Sequence, residues 1–260
     1  MAPTFILMDK RGRLLTNIIL YSDPRGRELI DEELRQLMIE ETGSAPDPQH
    51  WPLKPLWFGK NTSKMSEAAM AGDVTSYIML RMAGSFATGP TILQSAGVLN
   101  NYRRRCNSNK ILDKTGLSRI SLPAIMNEPL TADHGLKVLP PLTDSIAGAV
   151  SAGAFTEGAT TLNVGTTATL YHATSKPVTL DGFYLDLSPE PGMFYVVGTT
   201  GTAGAVMDLL RRLLRVKSFA MVNRLARTPS NVTVLPYIYG KKSPIMDPYA
   251  RSHLRSDGEH

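Results

Sequence analysis

The chain commits to β-structure almost at once. Phe5-Ile6-Leu7-Met8 is a short apolar run, Asp9-Lys10-Arg11-Gly12-Arg13 is a polar turn, and 14–20 is a second β-forming run. Gly12 is free to take the positive φ a tight turn needs, so the pattern predicts strand, turn and strand. A strand this early has nothing before it to pair with. Its open edge needs a segment that returns from later in the sequence, or another chain. Opening in mid-sheet is also how a truncated domain looks.

The rest of the chain alternates helical and extended patterns. Positions 27–41 carry Leu29, Ile30, Leu34, Leu37 and Met38 at helical spacing before Gly43 and two prolines stop them. The region 49–61 holds both tryptophans, with Trp57 expected in the core, and 63–83 reads as a further helix ending at Gly84. From 91 to 117 we expect a loop with the basic cluster Arg103-Arg104-Arg105, running into a short helix at 109–115. Between 124 and 141 the composition turns to Pro, Asp, His and Gly without periodicity, as a connection between domains does, which places a boundary near 130. Beyond it, 145–155 is helical, and 160–164 and 167–172 form a hairpin around Gly165-Thr166. A strand at 193–197, a helix at 204–216 and a strand at 232–235 follow. The helix sets Val206, Leu209, Leu210, Leu213 and Leu214 on one face, with Arg211, Arg212 and Arg215 opposite.

Composition excludes several functions. With 42% hydrophobic and 20% charged residues over 260 positions, the chain can build a core and is neither disordered nor fibrous. No apolar run reaches the roughly 18 to 20 residues of a membrane span, and the N-terminus lacks the basic region of a signal peptide. A single cysteine, Cys106, allows no internal disulfide and no conventional metal cluster, which fits a cytoplasmic address. The net charge of +5 favours anionic partners in general but is too small to imply nucleic acid. The arginine clusters lack the interleaved aromatics of a nucleic-acid binder.

Three groups of residues could carry chemistry. Thr161-Leu162-Asn163-Val164-Gly165-Thr166-Thr167 places a glycine and hydroxyls at a hairpin turn, where amides and Oγ atoms can face an anion; alone, it is equally a turn flanked by β-formers. Asp144 opens a helix, where N-capping accounts for an aspartate without catalysis. Asp23 and Arg25, in Tyr21-Ser22-Asp23-Pro24-Arg25, read as an Asp-initiated turn.

The order of these segments resembles the FGGY family of carbohydrate kinases, most nearly its xylulokinase-like members. The opening hairpin followed by Tyr21-Ser22-Asp23-Pro24-Arg25 is similar to the family's strands ending in an aromatic-x-Asp-x-Arg motif. Lys54-Pro55-Leu56-Trp57 resembles a first signature centred on Lys and Trp, although Pro55 departs from it. Asp144 followed by Gly165-Thr166-Thr167 resembles the entry to the second domain, and Gly201-Thr202-Ala203-Gly204 the segment that brings a glycine near the nucleotide. Leu235-Pro236-Tyr237 through Asp247-Pro248-Tyr249-Ala250-Arg251 is similar to a further run, with Lys241 in place of an acidic residue.

The resemblance implies an α/β, incomplete actin/hexokinase-like (ribonuclease H-like) two-domain fold with mixed sheets flanked by helices. It assigns 1–130 to a partial sugar-binding domain and 131–260 to a partial nucleotide-binding domain. It implies phosphoryl transfer from ATP with Mg²⁺ to a sugar or polyol hydroxyl. Asp144 is then the base, Asp23 and Arg25 hold substrate, and Gly165, Thr166, Thr167 and Gly204 bind nucleotide or phosphate, with no protein metal ligand. The family's N-terminal Asp-x-Gly-Thr-Thr hairpin and its adenosine-binding segment have no counterpart in these residues, so a chain weakly active or inactive alone is expected. The alternative is a non-catalytic sugar-binding or interaction protein that pairs its open edge with itself or with a complementing chain.

Overall fold

The computed structural model of the protein describes residues 3–100, 106–132, 135–226, 231–238, 240–247 and 249–256. Arg103, Arg104, Arg105 and Pro248 lie outside the described residues. The opening apolar run is a fully buried strand, Ile6–Met8. Its edge is covered by an antiparallel partner, Met70–Gly72, in the register Ile6↔Gly72, Leu7↔Ala71 and Met8↔Met70. On its other side 14–20 does not run as a continuous strand but touches through single bridges, Phe5↔Ile19 and Met8↔Leu14. The hydroxyl of Thr16 takes the place of a main-chain partner there, accepting from Leu7 N at 3.2 Å. The first strand is therefore paired on both sides, and the open edge expected from the sequence does not exist.

The covering strand lies where the sequence suggested one helix. The segment 63–83 divides into a short helix, Lys64–Glu67, the strand Met70–Gly72, and a second helix, Val74–Ala83. Asp73 causes the break. Its carboxylate accepts from the amides of Thr75 and Ser76 while Ser76 Oγ accepts from Asp73 N, a reciprocal capping box that starts a helix afresh. Asp31 divides 27–41 in the same way, capping Glu32–Thr42 through Leu34 N and leaving Arg27–Leu29 as a separate 3₁₀ turn. Trp51, not Trp57, is the fully buried tryptophan; it packs edge-on to Phe5 and donates its indole N–H to Thr4 O at 2.7 Å. Trp57 is half-buried against the same core.

The expected loop after residue 91 contains a buried helix, Pro90–Ser95, started by Pro90 in its first turn. The helix at Asn109–Thr115 forms as the sequence indicates, capped by Ser108 and ended by Gly116. The second lobe is built on an antiparallel sheet. Among the described residues its strands run Tyr184–Leu187, Phe194–Thr199, Ala168–Thr174 and Thr160–Val164, from one edge to the other. The helix Asp144–Ser151 packs Ile146 and Ala149 on one face of this sheet, against Tyr171, Ala173, Tyr195 and Val197. Parallel pairing also occurs, between Ala87–Thr88 and Ala124–Ile125, so the sheets are mixed.

The two lobes share a packed seam. Leu187 and Phe194 of the second-lobe sheet join the core formed by Phe5, Trp51, Phe58, Leu93 and Leu99. Gly89, at the start of the Pro90–Ser95 helix, approaches Pro141 so closely that a Cβ there would lie 1.9 Å from the Pro141 carbonyl oxygen. Any side chain at 89 must push the 141–144 segment away from the first lobe. Gly89→Ala is expected to lower stability by about 1–3 kcal/mol. Gly59→Ala, where a Cβ finds only an ordinary 4.0 Å contact inside a helix, should be neutral or stabilising. Urea unfolding of both variants checks the contrast.

Candidate functional site

A cleft of about 450 Å³ opens between the lobes. Asp144, Gly165 and Thr167 lie on its second-lobe wall, and His50, Gln94 and Ser44 on its first-lobe wall. The position of Asp144 follows from its neighbour. Thr143 is the N-cap of the Asp144–Ser151 helix, its hydroxyl accepting from Ile146 N. Capping therefore does not account for Asp144, which stands in the first turn, exposed toward the cleft, with Oδ1 accepting from Ser145 N at 3.0 Å. A carboxylate in the first helical turn is also favoured by the helix dipole.

The threonine-rich hairpin tip faces Asp144 across the same wall. Gly165 N donates to Thr167 O at 2.8 Å to close the turn, and both residues line the cleft. Thr166 is not among the lining residues; its carbonyl accepts from the amides of Ala203 and Ala205. Gly204 sits behind this turn. Its amide donates to Gly165 O at 2.8 Å, and a Cβ on it would lie 2.6 Å from that oxygen. The geometry thus makes Gly204 the support that lets the Gly204–Leu213 helix begin directly under the tip.

Asp23 and Arg25 are not brought to this wall and do not line the cleft. They pair with each other, with Arg25 Nε 2.9 Å and 3.0 Å from the two carboxylate oxygens and Nη2 at 2.6 Å. The guanidinium lies over the Trp57 ring at 4.9 Å, a cation–π contact. Its hydrogen bonds hold the Asp23 carboxyl below the ordinary carboxylate range, and Asp23 in turn raises Arg25. Buried Lys54 ties the loop down by donating to the carbonyls of Asp23 and Arg25, each at 2.9 Å. Burial depresses the Lys54 ammonium's pKa, and Asp23 opposes that shift. The cleft residue of this loop is Tyr21, two positions before Asp23.

Residues 2–132 match the FGGY family of carbohydrate kinases, N-terminal domain. The chain belongs to the FGGY family of carbohydrate kinases. No curated protein sequence matches it. Among solved structures, this FGGY chain is similar to the xylulose kinase from Lactobacillus acidophilus, at 20% identity and a TM-score of 0.86 over 96% of the chain. It is equally similar to the gluconate kinase from Lactobacillus acidophilus, at 21% identity, TM-score 0.86 and 96% coverage. The glycerol kinase of Plasmodium falciparum with ADP aligns at 18% identity and TM-score 0.83 over 97%. These likenesses give the fold, the actin-like ATPase fold of FGGY kinases. The chain spans 56% of the length of each of these three proteins.

Several cleft residues of the FGGY chain carried no signal in its sequence. His50 is buried at the cleft wall, and its Nδ1 accepts from Asp47 N at 3.0 Å, so the neutral ring carries its proton on Nε2. Burial pushes its pKa down to about 4, with Asp47 opposing and Lys242 and Lys54 adding to the shift. Lys242, just before the cis Ser243-Pro244 bond, lines the cleft as well. Periodicity marks none of these, because they come from loops and an edge strand and meet only in the fold. Among the described residues no three His, Cys, Asp or Glu side chains gather to hold a metal ion, and no helix is long and apolar enough to cross a membrane.

The His50 shift has a definite pH signature. An unfolded histidine protonates near 6.5, whereas folded His50 stays neutral to about 4. Between these values the unfolded chain binds the extra proton, so this group's contribution falls as the pH drops. His50→Gln is therefore expected to gain stability relative to the parent from pH 6.5 down to 4, on the order of 3 kcal/mol in full. Urea midpoints of both proteins across that range test it.

Proposed function

We propose that this chain forms the reaction cleft of an ATP-dependent sugar or polyol kinase. The carrying observation is that Asp144, relieved of capping by Thr143, shares one cleft wall with Gly165 and Thr167. In this reading residues 1–130 make the sugar-side domain and 131–260 the nucleotide-side domain. The family assignment supports the reaction class. The acceptor sugar is left open: the similar structures are named for xylulose, gluconate and glycerol.

Phosphoryl transfer proceeds through a loose transition state, so the protein's work is to position the partners and offset charge. Asp144 orients the acceptor hydroxyl and takes its proton as the acceptor oxygen bonds the γ-phosphorus of ATP and the bond to the leaving ADP oxygen breaks. The Gly165–Thr167 turn and its hydroxyls hold phosphate oxygens of Mg-ATP, in which the metal arrives on the nucleotide as part of the substrate. Gly204 supports the turn from behind and so acts on phosphate indirectly. Asp23, Arg25 and Lys54 brace the loop that brings Tyr21 to the acceptor side. The seam between the lobes keeps the two walls facing each other and excludes water from the reacting groups.

The test is ATP consumption by the 260-residue chain with Mg²⁺ across a panel of pentoses, ketoses, aldonates and polyols. The expected result is weak turnover that depends on one class of acceptor and is lost in Asp144→Asn, with acceptor binding kept. Turnover equal in Asp144→Asn and parent contradicts the role given to Asp144. Acceptor-dependent melting shifts with no turnover would favour the non-catalytic sugar-binding reading.

A further inference from the structure

The strand Tyr184–Leu187 is an edge of the second-lobe sheet, and an edge strand presents unpaired main-chain groups. Here side chains of the first lobe satisfy them. Leu185 N donates to Ser44 Oγ at 3.2 Å, and Leu187 N donates to Gln94 Oε1 at 3.4 Å. The same Gln94 amide donates through Nε2 to Leu185 O at 3.4 Å and to Asp186 Oδ1 at 2.6 Å. Gln94 is buried on the Pro90–Ser95 helix, so one amide group spans the seam with three contacts to the strand. Its orientation is decided by the strand's main chain: Leu187 N can only donate and Leu185 O can only accept, which turns Oε1 to the one and Nε2 to the other and to Asp186.

We propose that Asp186, by accepting from Gln94 Nε2, is a positioning residue that holds the Gln94 amide against this edge strand, and so sets the width of the cleft between Asp144 and the His50 wall. Its surroundings make the lock responsive to protonation. Tyr184 on its own strand, Tyr171 on the central strand, and Tyr195, its register partner across the sheet, are its titratable neighbours, and all three phenols are neutral near pH 6. Asp144, near enough to act on Tyr171, and His50 and Lys242 line the same cleft. Burial pushes the Asp186 carboxyl up to about 6, against the pull of the Gln94 bond. The ionised form, although it accepts from Gln94, carries a desolvation cost that opening the seam to water relieves, whereas the neutral acid still accepts from Gln94 through its carbonyl oxygen and leaves the seam shut. The sign is opposite to that of His50: with a folded value above the unfolded one, the seam tightens as the pH falls through 6.

The meaning of the cleft rests on the kinase reading above; the measurement does not, so a chain without turnover still decides the matter. The amides of Leu185 and Leu187 report the seam directly, because their partners belong to the other lobe. We expect their hydrogen-exchange protection in the parent protein, corrected for intrinsic rates, to rise about tenfold between pH 7 and pH 5. Asp186→Asn keeps an acceptor for Gln94 but cannot ionise, and should be protected at both pH values alike. Asp186→Leu removes the acceptor and should leave the two amides weakly protected at both, while the amides of Tyr171 and Ala173 in the sheet centre stay protected. A pH dependence identical in the parent and Asp186→Asn, or no loss of protection in Asp186→Leu, overturns the proposal.

Discussion

The main chain of one edge strand, completed by side chains from the opposite lobe, is the constraint on which the site depends. Leu185 and Leu187 have their amides satisfied by Ser44 and Gln94, and Leu187 and Phe194 are carried into the first-lobe core. Apolar burial supplies most of the energy of this seam, while the hydrogen bonds fix its register, since unpaired buried amides would cost about 1–3 kcal/mol each. The close approach of Gly89 to Pro141 pins the same seam three residues before Asp144. Loosening any of these contacts would move one wall of the cleft relative to the other.

Within the second lobe, two substitutions of role prepare the wall. Thr143 performs the capping that Asp144 could have performed, and Gly204 performs the backing that lets Gly165 and Thr167, rather than Thr166, face the cleft. On the first-lobe side, Lys54 holds down a loop whose charged residues, Asp23 and Arg25, are spent on each other. Among the described residues the charged side chains of the lining are few: Asp144, Asp186 and Lys242, beside a histidine held neutral. The helix that begins behind this wall is different. The Gly204–Leu213 helix buries none of its residues, and Leu213 is 69% exposed; Arg211 and Arg212, two of the arginines expected on its polar side, both pair with Asp208.

Much of this was legible in the sequence, and the parts that were not share a cause. The hairpin around Gly165, the helix after Thr143 and the helix Asn109–Thr115 announce themselves through local rules of alternation, capping and glycine stops. The strand Met70–Gly72 carries no local signal because Ala68-Ala69-Met70-Ala71-Gly72 has no periodicity of its own and is extended by pairing with the first strand on one side and Ser121 on the other. His50, Gln94 and Asp186 lack a motif altogether: Gln94 and Asp186 acquire significance from each other across 92 positions, and His50 from the cleft wall it joins. Of the residues that family resemblance singled out, Asp144, Gly165 and Thr167 line the cleft, while Asp23 and Arg25 pair with each other outside its lining.

The central claim is that the cleft wall carrying Asp144 and the Gly165–Thr167 turn receives the phosphates of the nucleotide. The most direct measurement is a titration of the isotope-labelled chain with Mg-ATP, followed residue by residue through its amide resonances. The account predicts saturable shifts at Gly165, Thr167 and Ser145, with the amides of Leu213 and Leu225 unmoved. Shifts confined to the exposed Gly204–Leu213 and Phe219–Leu225 helices, or none at the turn at saturating nucleotide, would contradict it.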